Sequence, residues 1–224
     1  MYETFSQFYD LLVDLDYDQY VEIIRRHIPK GSRVIDLACG TGQVIHLLKD
    51  EYQFVGADVS EDMLELAANK NPEVDFFVHD LRDPFFVEQI QAAICTVDSF
   101  NYLTEHADLE QAIQNIGTSL PQGGQFIFDV ITEERLAELD DYLFVSDIEA
   151  GTLIWSANVE DDEIEHELIM YIHGDDGLYE RFEEHHTQKV FAEEWIDDLL
   201  ATDFKFEKLH WQSRIIYVCT KLVK

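Results

Sequence analysis

Val34-Ile35-Asp36-Leu37-Ala38-Cys39-Gly40-Thr41-Gly42-Gln43 reads as an apolar, β-branched strand ending in an acid, then a small-residue turn, then the start of an amphipathic helix. A strand, glycine turn and helix in that order aim backbone N–H groups and a helix N-terminus at a ligand. Gly40 and Gly42 have no Cβ, so the turn can take φ > 0 and a nucleotide-like ligand can approach the backbone closely. Asp36 falls at the carboxyl end of the strand, where open α/β sheets bind their ligands. A carboxylate there disfavours a pyrophosphate and suits a ligand that carries positive charge.

A dinucleotide loop needs G-x-G-x-x-G, whose third glycine allows close helix–strand packing. Here the frame runs Gly40-Thr41-Gly42-Gln43-Val44-Ile45, and isoleucine stands at the third position. The full string Asp36-Leu37-Ala38-Cys39-Gly40-Thr41-Gly42 after a strand resembles the first motif of the class I S-adenosylmethionine-dependent methyltransferases. The resemblance implies a Rossmann-like α/β fold, with a seven-stranded sheet, helices on both faces and S-adenosylmethionine as cofactor. It makes Asp36, Ala38, Gly40 and Gly42 cofactor contacts. Two other readings stay open: a non-catalytic protein that binds the same cofactor, and an NAD-binding oxidoreductase, against which Ile45 counts.

The chain has 224 residues with 46% hydrophobic content, which suits one well-cored domain and not disorder. No run of about 18 apolar residues occurs, and the start lacks a basic and apolar leader, so neither secretion nor a membrane span is expected. Cys39, Cys95 and Cys219 are odd in number and lie in apolar surroundings, which predicts reduced core thiols in a cytoplasmic protein and no metal site. The net charge is −32, and residues 1–129 and 130–224 each carry −16. An acidic surface of this kind repels phosphate backbones, which disfavours nucleic acids and anionic membranes as partners and leaves small molecules.

Along the chain, residues 1–30 read as a helical lead-in that Pro29-Lys30-Gly31 ends. Strands near 32–37, 52–57, 74–78, 92–97 and 125–130 then alternate with helices near 42–50, 61–69, 85–90 and 107–119. That alternation predicts a parallel sheet covered on both faces, a cofactor-binding core over residues 1–130. From about 142 to 190 the period changes to two, with a turn signal at His173-Gly174-Asp175-Asp176-Gly177. This predicts an antiparallel insertion of three or four strands. A last helix at 191–201 and strands at 204–210 and 214–222 follow. The resemblance makes the insertion a lid over the substrate within one methyltransferase domain.

Counting along the βα units gives further candidates. Asp58 ends the second strand 18 residues after Gly40, where an acid can accept both ribose hydroxyls. Val59 and Met63 follow as cofactor contacts, and Ser60 reads as the cap of the next helix. The resemblance gives Asp80 the adenine amino group and Leu81 a backbone N–H to the ring, with His79 a packing residue. In Asp98-Ser99-Phe100-Asn101-Tyr102, Asp98 is a cofactor candidate, and Asn101 and Tyr102 are substrate candidates. Leu120-Pro121-Gln122-Gly123-Gly124 is similar to an architectural turn of the family. Tyr9-Asp10 and Asp16-Tyr17 resemble the lead-in of a bacterial small-molecule branch of that family, which makes Tyr9 and Tyr17 substrate-side candidates. An amphipathic helix accounts for them nearly as well.

Residues 181–190 have polar side chains on both strand faces. Such a strand is either a solvated edge or the wall of a wet pocket. Glu184 and His186 share a face, and for an amine or hydroxyl acceptor they are the candidate general bases.

Overall fold

The computed structural model describes residues 17–148, 151–174 and 177–223. Helix α1 (Asp18–His27) precedes strand β1 (Arg33–Leu37), helix α2 (Gln43–Leu48) and strand β2 (Gln53–Asp58). Helix α3 (Glu61–Lys70), capped by the Ser60 side chain accepting from Met63 N, leads to β3 (Asp75–Val78) and then β4 (Ala92–Cys95). A 3₁₀ turn (Ser99–Tyr102), helix α4 (His106–Ser119) and strand β5 (Gln125–Ile131) complete this half. Next come α5 (Glu133–Leu139) and four strands, β6 (Tyr142–Ile148), β7 (Gly151–Glu160), β8 (Glu163–His173) and β9 (Tyr179–Lys189). The chain closes with α6 (Glu193–Leu200), β10 (Phe204–Trp211) and β11 (Arg214–Lys221).

The main sheet has the order β10-β11-β5-β4-β1-β2-β3, with β11 antiparallel to both neighbours and the other pairs parallel. Strand order reverses between β1 and β4, so the carboxyl ends there open a crevice. Strands β1, β4, β5 and β11 are nearly continuous apolar runs because both faces are covered. Leu109, Ile113 and Ile116 of α4 with Ile196 and Leu200 of α6 seal one face. Tyr20, Ile24, Val44 and Leu48, from α1 and α2, seal the other. The insertion forms its own antiparallel sheet, β6-β7-β8-β9.

Two local expectations fail. No helix forms over 85–90; Phe85 and Ile90 instead anchor an irregular segment in the core, while Phe86 stays exposed. Its inward-facing apolar residues, Phe85 and Ile90 with the partly buried Val87, do not share one helical face. Helix α5 was not expected, since of its seven residues only Leu139 is fully buried.

Candidate functional site

One cavity of about 730 Å³ lies between the carboxyl ends of the main sheet and the inner face of the insertion. The glycine turn forms part of its wall. Ala38, Gly40 and Gly42 have φ of 53°, 54° and 70°. At Gly42 a Cβ would lie 2.9 Å from Asn71 Nδ2 and 3.1 Å from the Ala67 Cβ, so the turn requires glycine for space as well as for φ. Ile45 occupies the place of a dinucleotide loop's third glycine because the small residue sits on the strand instead. A Cβ on Gly56 of β2 would meet Ile45 Cδ1 at 3.1 Å and Phe76 at 2.4 Å.

Asp58 fixes this turn. Its Oδ2 accepts Gly40 N at 2.8 Å and its Oδ1 accepts Ser60 N at 2.9 Å. Burial raises its pKa, and those backbone N–H groups work against the rise. Asp36 is 2% exposed and also lines the cavity. Burial first, and then the charge of Asp58, push its carboxyl well above the usual range. Val59, Met63, His79, Asp80 and Leu81 continue the wall. His79 packs edge-on to Phe77 and Phe85, and burial lowers its pKa. Arg82 grips Asp80, with Nη2 2.5 Å from Oδ2 and Nε 2.9 Å from Oδ1, which holds that carboxyl below its usual range.

A buried polar network carries the site across to the insertion. Val97 and Asp98 have φ of 62° and 49°, a left-handed bend that turns the Asp98 side chain into the cavity wall. Arg214, the first residue of β11, holds Asp98 Oδ1 at 2.8 Å and lies 3.4 Å from Asp129 Oδ2. Asp129 is fully buried and also accepts Tyr20 OH at 2.9 Å and Asp98 N at 3.0 Å. Burial, then Asp98, raise the Asp129 pKa. Asp98 Oδ2 accepts Gln188 Nε2 at 3.1 Å. Gln188 Oε1 in turn lies 3.1 Å from His166 Nε2, and Trp155 Nε1 donates to His166 Nδ1 at 3.1 Å.

Of the residues expected at the site, Asp36, Ala38, Gly40, Asp58, Val59, Met63, Asp80, Leu81, Asp98, Tyr17, Tyr102 and His186 line this cavity. Gly42 supports it from the turn. Tyr9 lies outside the described residues. Asn101 is a correction: it is 0% exposed, and its side chain donates to Lys189 O at 2.7 Å and accepts Ile131 N at 3.1 Å. Its amide ties the ends of β9 and β5 together, outside the cavity wall. Glu184 is not in the cavity wall, but its Oε2 lies 3.2 Å from His186 Nε2, whose ring packs edge-on to Tyr102. The Glu184–His186 face of β9 therefore turns inward, and the solvated-edge reading applies to Glu183 and His185 on the other face.

The sequence reading missed Asp129 and Arg214. Each is a charge inside an apolar strand, Phe126-Ile127-Phe128-Asp129-Val130 and Arg214-Ile215-Ile216-Tyr217-Val218, and that intrusion was the available signal.

Residues 34–124 match a family model described as a methyltransferase domain. The chain is 31% identical over 209 residues to YqeM of Bacillus subtilis (strain 168), a chain designated a methyltransferase, covering 89% of this chain and 84% of that one. It is 28% identical over 178 residues to a dTDP-3-amino-3,6-dideoxy-alpha-D-glucopyranose N,N-dimethyltransferase of Streptomyces fradiae, covering 77% and 69% respectively. In fold it resembles the crystal structure of an S-adenosylmethionine-dependent methyltransferase from Clostridium acetobutylicum ATCC 824, with TM-score 0.86, 24% identity and 99% of both chains covered.

Proposed function

The chain belongs to the class I S-adenosylmethionine-dependent methyltransferases, and from that membership we propose that it methylates an amine nitrogen of a small molecule enclosed beneath the insertion. The observation that carries this reading is the Glu184–His186 pair, 3.2 Å apart on the inner face of β9, over the cavity that Asp36 and Asp58 line from below. The likeness to a sugar N,N-dimethyltransferase supports an amine acceptor.

The residues at the turn fit the methyl donor. Asp36 and Asp58 give the core side two buried carboxylates, and no cation of the described residues offsets the raised Asp36. S-adenosylmethionine, when bound, supplies a methyl carbon activated by a positively charged sulfur. Asp36, Gly40 and Asp58 would hold it, with Asp80 and Leu81 towards the adenine. We assign Asp98 and Tyr102 to the boundary between donor and acceptor, and Tyr17 to the acceptor side.

The residues of the insertion then do three things. They exclude water, since Leu153, Trp155 and Leu168 form an apolar roof. They orient the acceptor, a contribution of about 7–11 kcal/mol in well-aligned reactions. His186 receives the proton that the acceptor nitrogen gives up, and Glu184 stabilises the imidazolium formed. General-base help of this kind contributes about 10²–10⁴-fold.

We take residues 1–224 to work as one unit, with 1–130 the cofactor core, 142–190 the lid and 191–224 the closing elements. The free thiols of Cys39, Cys95 and Cys219 support a reducing, cytoplasmic setting, and the net charge of −32 supports a small-molecule partner over nucleic acid. No helix of the described residues is long and apolar enough to cross a membrane. The test is labelled-methyl transfer to a panel of amines and hydroxy compounds, with His186→Ala and Glu184→Ala alongside. Turnover on amines that falls at least tenfold in both variants supports the reading; turnover unchanged in both would refute the base assignment.

A further inference from the structure

Three arginines, Arg82, Arg135 and Arg214, are the Lys and Arg residues of the cavity wall among the described residues. Each is already held by acids. Arg214 is 8% exposed and bonds Asp98 at 2.8 Å, with Asp129 at 3.4 Å. Arg82 has Asp80 at 2.5 Å and Asp108 at 3.6 Å. Arg135 pairs with Glu138 at 2.8 Å, and Glu138 also accepts the Ser213 hydroxyl. The same wall carries Asp36, Asp58, Asp80, Asp98 and Asp108, so its acids outnumber its permanent cations. Residues 1–16 contain no lysine, arginine or histidine side chain.

Recognition of a diphosphate calls for uncommitted cationic donors, and Arg is the residue best shaped to supply them. Here, recruiting Arg214 to a phosphate would leave buried Asp129 and partly buried Asp98 as uncompensated carboxylates. The aromatic lining of the acceptor side, Tyr102, Tyr142 and Trp155, suits a neutral or ammonium-bearing molecule. We infer that the acceptor is a small amine, neutral or cationic overall, that bears no phosphate and is not attached to a nucleotide. This rests on the reading of the cavity's insertion side as the acceptor site. It separates the chain from the dTDP-sugar methylation named for its Streptomyces fradiae relative.

The test is calorimetric titration of the full chain, loaded with S-adenosylhomocysteine, with dTDP as the probe. Wild type is expected to show no saturation up to about 1 mM dTDP. Among the described residues Arg135 pairs with one acid, Glu138, whereas Arg82 and Arg214 each face two. Glu138→Gln should therefore free it and raise dTDP affinity at least about tenfold, in a manner that weakens with salt. Micromolar dTDP binding by wild type would overturn the inference, and so would a Glu138→Gln variant with no gain. Neither readout uses turnover, so failure of the amine-methylation reading registers separately, in the labelled-methyl assay.

Discussion

Gln188, on the edge strand of the insertion, donates through Nε2 to Asp98 Oδ2 of the main-sheet crevice at 3.1 Å. The two residues are 90 positions apart in sequence, and their contact ties the insertion to the crevice at the carboxyl ends of the main sheet. The bond belongs to a one-directional chain. Trp155 only donates, so His166 Nδ1 accepts and its proton stands on Nε2, facing Gln188 Oε1. Gln188 then donates to Asp98, which Arg214 holds from the other side.

Breaking that link should loosen the lid and leave the fold standing. A hydrogen bond to a charged group contributes about 1.5–3 kcal/mol, so Gln188→Leu should raise the KM for the acceptor about 10- to 150-fold. Affinity for S-adenosylhomocysteine should change little. Steady-state kinetics with a competent amine, beside calorimetry, checks both.

The chain works only with neutral His166, because a proton on Nδ1 would face the Trp155 N–H. Burial lowers the His166 pKa below its ordinary 6.5. A histidine whose folded-state pKa is depressed takes up protons more readily when unfolded. Its stabilising contribution is therefore complete above about pH 6.5 and declines as pH falls from there towards the folded-state value. Buried Asp36 and Asp129, whose pKa values are raised, oppose this trend on acidification. The difference between wild type and His166→Gln isolates the histidine. Unfolding free energies from about pH 8 to about pH 5 should show a steeper acid loss in wild type.

Arg214 balances the buried carboxylate of Asp129 and the partly buried one of Asp98. Burial works against its charge, but Asp98, Tyr20 and Asp129 outweigh it and its pKa rises. Arg214→Met leaves Asp98 and Asp129 without their cation and should cost about 3–5 kcal/mol in urea unfolding. Adding Asp129→Asn should restore part of that, since it removes one of the stranded charges.

The turn at Gly42 gives a separate prediction on the cofactor side. Gly42→Ala places a methyl group 2.9 Å from Asn71 Nδ2 in a left-handed conformation. Strain of that kind costs about 1–3 kcal/mol. Thermal unfolding should register the loss, and affinity for S-adenosylhomocysteine should fall with it.

The core was legible in the sequence for a physical reason. Buried parallel strands such as β1 and β5 are covered on both faces and so read as apolar runs, interrupted in these two by Asp36 and Asp129, and the glycine turn has few chemical alternatives. The insertion was harder because β9 has polar residues on both faces for two different reasons. Glu183 and His185 meet solvent, while His186 and Gln188 are buried against the cavity wall. Period-two alternation registers hydrophobicity and cannot separate a wet wall from a wet surface. Asn101 misled because its amide, adjacent in sequence to the cavity-lining Tyr102, is spent on the backbone of two strands distant in sequence. Likewise, nothing near Asp98 in sequence identifies Arg214, 116 residues away, as its partner.

The most direct test of the central claim, that one cavity is divided between donor and acceptor, is calorimetric titration with S-adenosylhomocysteine. It compares wild type, Asp58→Ala and His186→Ala. The account predicts micromolar binding by wild type, at least about tenfold weaker binding by Asp58→Ala, and binding by His186→Ala within about twofold of wild type. Undiminished affinity in Asp58→Ala, or a loss in His186→Ala as large as that in Asp58→Ala, would contradict it.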